Sequence, residues 1–145
     1  MKADEMEVAV RLTNQKVQFT GGARSNPDIV MDYFPPLGDG QGYTGLELLL
    51  MSLAACSGTS VVYLLRKMGK NVQGLNIHAK GIRRDAHPTS FRQIYLEFTI
   101  TSGDVKDQDI QKAIKLSEES LCPVWAMLKN SVEVIPGHKI IDGRA

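Results

Sequence analysis

The sequence predicts an α+β fold. Three observations carry that prediction: extended segments gather at the start, one long apolar helix follows them, and a hairpin, two shorter helices and a closing strand complete the chain. The resulting order, βββ-α-ββ-α-α-β, lacks the regular alternation of strand and helix that a doubly wound sheet requires. The 145 residues read as a single domain over 1–145, and a monomer of that size hides roughly 70% of the surface its unfolded chain exposes.

Residues 6–12 alternate weakly, residues 13–16 (Thr-Asn-Gln-Lys) suit a turn, and residues 17–20 resume extension. Gly21-Gly22 is expected to break that strand, and Asn26-Pro27 marks the turn into a third one over 29–34. Pro35-Pro36 and the glycines after them end the extended region. Thr44-Gly45-Leu46-Glu47 has the S/T-x-x-E form of a capping box, which starts a helix at Thr44. The helix should run through Arg66-Lys67, placed to meet the negative end of its dipole, and stop at Gly69. Two extended runs follow, 72–84 and 91–101. In the second, Ile94, Leu96, Phe98 and Ile100 alternate with polar or half-polar neighbours, the pattern of a half-buried strand. Residues 104–119 form a helix with Ile110, Ala113, Ile114 and Ser117 on one face. Pro123 suits the first position of another short helix ending near Asn130, and residues 131–135 close the chain as a strand.

Composition excludes several classes. Seventeen Lys and Arg against sixteen Asp and Glu leave a net charge of +1, so no broad field favours nucleic acid or anionic membrane as a partner. Residues 46–65 hold fourteen apolar residues in twenty. They also hold Glu47 and several hydroxyls, and a helix apolar on nearly every side in a soluble protein is a core helix, not a membrane span. Such a helix has more apolar faces than the few other elements can cover, which points to a homodimer. The first residues carry three acids and no apolar run, so no signal peptide is expected. Two cysteines are too few for a disulfide scaffold, and a reduced, cytoplasmic setting is the default.

Gly40-Gln41-Gly42-Tyr43-Thr44-Gly45 matches a dinucleotide fingerprint and opens a helix. Its context fails, because no acid lies between Glu47 and Asp85 to take the ribose, so these glycines read as a loop. His78, His87 and His138 are scattered and neither cysteine has a close ligand neighbour, so no metal site is expected. The cysteines carry more. Cys56 lies within the long apolar helix, where a free thiol is ordinarily a small buried hydrophobe. Cys122 precedes Pro123 and so caps a helix, where unpaired backbone N–H groups favour thiolate over thiol.

At these residues the chain resembles the OsmC/Ohr family, the osmotically inducible protein C and organic hydroperoxide resistance proteins. The matching pieces are the Leu46-Glu-Leu-Leu-Leu-Met-Ser-Leu-Ala-Ala-Cys56-Ser helix, the run from His87 to Phe98, and Ser120-Leu-Cys-Pro-Val124. The resemblance implies an intertwined α+β homodimer with its active sites at the subunit interface. It also implies a thiol peroxidase in which Cys56 attacks a hydroperoxide and Cys122 resolves the sulfenic acid as a disulfide. An external dithiol would restore both thiols, with no metal, flavin or haem. Arg24, in Gly21-Gly22-Ala23-Arg24, is the counterpart of the organic hydroperoxide branch's arginine, displaced by an extra alanine. Glu47 is the nearest counterpart of that branch's helix-start glutamate, nine positions before Cys56 where the branch has ten. At about 100° per residue, nine positions turn Glu47 to the opposite side of a straight helix from Cys56, which suits a capping role. These departures point to the general OsmC-like branch. The competing reading is a non-catalytic dimeric domain that binds a small apolar ligand, with both cysteines incidental.

Overall fold

The computed structural model describes residues 4–144 and has the α+β architecture, with two three-stranded sheets and one long helix. Its chain forms two compact units, Met1–Leu49 and Leu50–Ala145, which divide within the long helix.

In the first unit, β1 (Ala9–Leu12), β2 (Phe19–Gly22) and β3 (Ile29–Met31) make an antiparallel meander. The β1–β2 turn is closed by Asn14, whose side-chain oxygen accepts from the backbone N–H groups of Lys16 and Gln18 at 2.9 and 3.1 Å. Gly21-Gly22 does not break β2 as the sequence suggested: Gly21 pairs with both Val10 and Ile29 inside the sheet. A Cβ at Gly21 would overlap the Ala9 carbonyl and the Val10 side chain, so glycine there serves close approach of strands. β3 ends earlier than expected because Asp32 gathers the next loop. Its buried carboxylate accepts from the N–H groups of Tyr33, Gln41 and Asp39 at 2.8, 3.1 and 3.2 Å. Burial pulls that carboxyl's pKa upward, but these donors and Lys16 outweigh it and hold the group below the ordinary value. The stretch 40–44 is a loop, and the strand before it and the strand after α1 belong to different sheets, so no βαβ nucleotide unit forms.

Helix α1 spans Gly45–Lys67. Its start is the predicted capping box: the Thr44 N–H donates to Glu47 at 2.8 Å and the Glu47 N–H donates to the Thr44 hydroxyl at 3.1 Å. In the second unit, Leu53, Ser57, Val61 and Leu65 form a fully buried stripe at four-residue spacing. Among the described residues α1 alone is long and apolar enough to cross a membrane, and 28% of its most apolar 18-residue stretch is buried.

The second sheet runs β4 (Gly74–Arg83), β5 (Phe91–Ser102) and β6 (Glu133–Asp142), in that order. β5 alternates as predicted, with Ile94, Leu96, Phe98 and Ile100 all buried. β4 pairs with it antiparallel and β6 pairs with it in parallel. β6 is twice the length predicted, because Pro136-Gly137 reads as a turn in sequence. Proline is tolerated here since β6 is an edge strand, where it can sit without interrupting pairing to a further strand. Between β5 and β6 lie α2 (Asp107–Leu116), a π-helical turn at Ser117–Leu121, and α3 (Pro123–Leu128). α2 begins three residues later than predicted, because Ser102 accepts from the N–H groups of Asp104 and Val105 and holds that stretch out of helix. Its buried face is Ile110, Ala113 and Ile114, as the spacing predicted.

Glycine at 81 on β4 leaves room for the buried Phe91 ring, which a Cβ there would overlap. Gly81→Ala should therefore cost about 1–3 kcal/mol. Urea unfolding checks this, with a lowered midpoint and an unchanged m-value.

Candidate functional site

Two thiols that stand 66 positions apart in sequence meet in the second unit. Cys56 comes from the middle of α1 and is half-buried; Cys122 stands immediately before α3 and is 2% exposed. The Cys122 side chain and the Val124 backbone N–H are close enough to the Cys56 thiol to shift its pKa.

Local structure explains how Cys122 arrives there. The π-helical turn ends with the Cys122 N–H donating to the Ser117 carbonyl at 2.9 Å, and Cys122 itself is extended, with φ −83° and ψ 107°. Pro123 then takes the first helical position, where its missing N–H costs nothing. The Cys122 sulfur caps α3 by accepting from the Trp125 N–H at 3.4 Å, as the sequence predicted. On its other side it meets the Ser57 hydroxyl at 3.5 Å. Trp125 is fully buried and anchors the turn. The Ser117 hydroxyl is also buried and has no hydrogen-bond partner among the described residues.

Electrostatics separate thiol from thiolate at Cys56. Burial pushes the thiol pKa up and the neighbouring Cys122 pushes the same way, while the Val124 N–H pulls it down without prevailing. No cation is among the groups that act on it, and a nearby cation is what makes a thiol a ready nucleophile. The helix that holds Cys56 carries an open groove of about 870 Å³, lined by Ala55, Thr59, Val62 and Tyr63 with Leu75 and Ile77 of β4, and also by the cations Arg66 and Lys67; Cys56 is not among its lining residues.

The other two residues singled out in the sequence lie in the first unit. Arg24 is exposed in the turn after β2, at a φ of 58°. Glu47 is occupied by the capping box described above. The three histidines fit the surface or structural roles expected of them: His78 and His87 are exposed, and His138 pairs with Asp107 at 3.0 Å. Among the described residues no cluster of His, Cys, Asp or Glu could hold a metal ion. Sequence reasoning missed Ser57 as part of the site. Its signal was present, a hydroxyl at the stripe position between Leu53 and Val61 that should face the core.

A model of the OsmC-like protein family matches residues 38–136. The chain belongs to that family. It is 31% identical over 123 residues to Protein YhfA of Escherichia coli K12, an alignment covering 85% of this chain and 90% of that protein. Among solved structures, a hypothetical protein from Aquifex aeolicus superposes with a TM-score of 0.84 at 29% identity, covering 97% of this chain and 98% of that one. The organic hydroperoxide resistance protein OhrB of Bacillus subtilis shares the fold, with a TM-score of 0.65 at 16% identity over 93% of this chain and 98% of that one. The OsmC-like fold expected from the motifs is thus the fold found.

The capping bond gives Cys122 a structural role separable from any chemistry. Cys122→Ala should lose about 1 kcal/mol of stability, whereas Cys122→Ser, a strong N-cap, should keep or exceed the wild-type value. Chemical denaturation of the two variants decides this: equal losses in both would show that the cap contributes nothing.

Proposed function

We propose that this OsmC-like protein is a thiol-dependent peroxidase that reduces organic hydroperoxides with Cys56 and Cys122. The observation that carries the reading is the meeting of these two thiols, one half-buried and one buried, across 66 residues of sequence. Family membership supports a stress-related, peroxidase-like role in general terms.

The steps balance as follows. Cys56 thiolate attacks a peroxide oxygen, an S–O bond forms, the O–O bond breaks, and the alcohol leaves after taking a proton. Cys122 then attacks the sulfur of the Cys56 sulfenic acid, an S–S bond forms, and hydroxide leaves as water with the proton from Cys122. An external dithiol reduces the disulfide through a mixed disulfide and is itself oxidised. Cys56 is the attacking thiol because Cys122, at 2% exposure, offers a peroxide no approach. The groove on the same helix, lined mainly by apolar side chains together with Arg66 and Lys67, favours an alkyl or aryl hydroperoxide over hydrogen peroxide, at roughly 0.8 kcal/mol for each CH₂ it buries.

Because burial and Cys122 push the Cys56 thiol up, activation needs a cation, and Arg24 is the residue we assign to that role by family resemblance. Glu47 keeps the capping role, its carboxylate already engaged by the Thr44 N–H. We further assign a homodimer. No hydrophobic side chain is buried among residues 4–49, and Val10, Leu12, Phe19 and Ile29 on its sheet are exposed, as are Met51 and Tyr63 on α1. A three-stranded sheet with no buried apolar face needs a cover, and a second copy supplies one. The compartment that suits two free thiols is the cytoplasm.

One observation favours a second reading. A thiol pushed upward by burial is what an inert structural cysteine shows, and the groove would then bind an apolar ligand without chemistry.

Peroxide turnover separates the two readings. Cys56→Ser should abolish it, while Cys122→Ser should leave a sulfenic acid trappable at Cys56. Cumene hydroperoxide should exceed hydrogen peroxide in kcat/KM by at least about tenfold, or 1.4 kcal/mol. Reduction of neither peroxide would establish the binding module.

Arg24→Ala tests the cation through pH. A thiol whose pKa is raised above the ordinary value is mostly protonated at neutral pH and ionises only in alkali, so the variant should lose activity near pH 7 and regain it progressively as pH rises. A uniform loss across that range would remove Arg24 from the chemistry. Light scattering at micromolar concentration should give twice the chain mass.

A further inference from the structure

Three hydroxyls follow Cys56 closely along α1, and they do different things. Thr59 donates to the Ala55 carbonyl at 2.9 Å and Ser60 donates to the Cys56 carbonyl at 3.4 Å. Those are the usual bonds of a mid-helix hydroxyl to the carbonyl four residues earlier. Ser57 turns away from its own helix and meets the Cys122 sulfur at 3.5 Å. Both groups are out of water, Ser57 at 0% and Cys122 at 2% exposure. A buried hydroxyl on a stripe otherwise made of Leu53, Val61 and Leu65 carries a desolvation cost that alanine would not. Among the described residues, the sulfur is the hydrogen-bond partner of its hydroxyl.

We propose that Ser57 is a positioning residue for the resolving step: it holds Cys122 Sγ toward Cys56 and donates its hydroxyl hydrogen to that sulfur as the sulfur becomes the nucleophile. While Cys122 is a thiol, either atom can be the donor. A thiolate can only accept, so the hydrogen then lies on Ser57 and the bond becomes charge-assisted, about twice as strong as a neutral one. The Trp125 N–H supplies the other donor at 3.4 Å. Together the two donors hold the sulfur in place. Ser57 keeps its proton throughout; the proton lost by Cys122 leaves with the departing group. The inference rests on the two-cysteine cycle proposed above for its biological meaning, but its test does not require peroxide.

The test uses the whole protein with Cys56 loaded by Ellman's reagent as a mixed disulfide with thionitrobenzoate. Attack by Cys122 forms the Cys56–Cys122 disulfide, breaks the bond to the reagent, and releases coloured thionitrobenzoate anion. The titratable group beside Cys122 is Cys56, and it is blocked in this adduct. Ser57→Ala, a small replacement favourable in a helix, should slow the release about tenfold at pH 7 and move its pH profile to higher pH. With peroxide, the same variant should accumulate trappable sulfenic acid at Cys56, the slowdown being confined to disulfide formation. Release by Ser57→Ala at the wild-type rate and with the wild-type pH profile would overturn the proposal, as would slowing with no change in profile, which marks a packing role alone. If wild-type protein forms no disulfide with any peroxide, the peroxidase reading falls, and thionitrobenzoate release still decides the role of Ser57.

Discussion

A parallel pair of strands cannot be joined by a tight turn, and the thiol pair depends on that constraint. β5 and β6 run in parallel register from Gln93↔Glu133 to Ser102↔Asp142, so the chain must cross from the end of one to the start of the other. The crossover is α2, the π-helical turn and α3, and α2 buries Ile110, Ala113 and Ile114. Cys122 lies inside that crossover, at the break between its two helices. The same connection that closes the sheet therefore returns a thiol to the core-facing side of α1. A sheet closed by a hairpin at this point would have no segment to carry it there.

The break is built to hold a sulfur in place. The π-helical turn adds a residue to the end of α2 and ends it at an extended Cys122, Pro123 forbids helical continuation through that point, and Trp125 anchors the new helix in the core. α1 answers with Ser57 from its buried stripe and Cys56 from the edge of that stripe. The sulfur of Cys122 thus has a serine hydroxyl, a backbone N–H and a second thiol around it, in a region otherwise filled by aliphatic side chains. Polar groups placed this way stand out because each carries a desolvation cost that apolar packing would avoid.

Much of this was legible in the sequence, and for local reasons. The capping box at Thr44 and Glu47, the alternation along Ile94–Ile100, the apolar face of α2 and the cap at Cys122 depend on residues within one or two turns of each other. The end of β3 and the start of α2 were shifted by the local hydrogen bonds of Asp32 and Ser102, whereas at two other boundaries a distant strand overrode a local signal. Gly21-Gly22 reads as a break until Val10 and Ile29 flank it, and Pro136 reads as a turn until β5 supplies a ladder that its edge position lets it join.

Sequence by itself determined the element order, the family motifs and the identity of the two thiols, because spacing and residue type are written along the chain. Only the tertiary structure decided that Cys56 and Cys122 meet, that the Cys56 thiol is pushed upward, and that Ser57 faces a sulfur and not its own helix. The physical reason is range. A helix cap is fixed by groups three residues apart, whereas a contact across 66 residues exists only when sheet register and helix packing have both been settled. Burial, which sets a thiol's acidity, belongs to the folded core and has no expression in a local window of sequence.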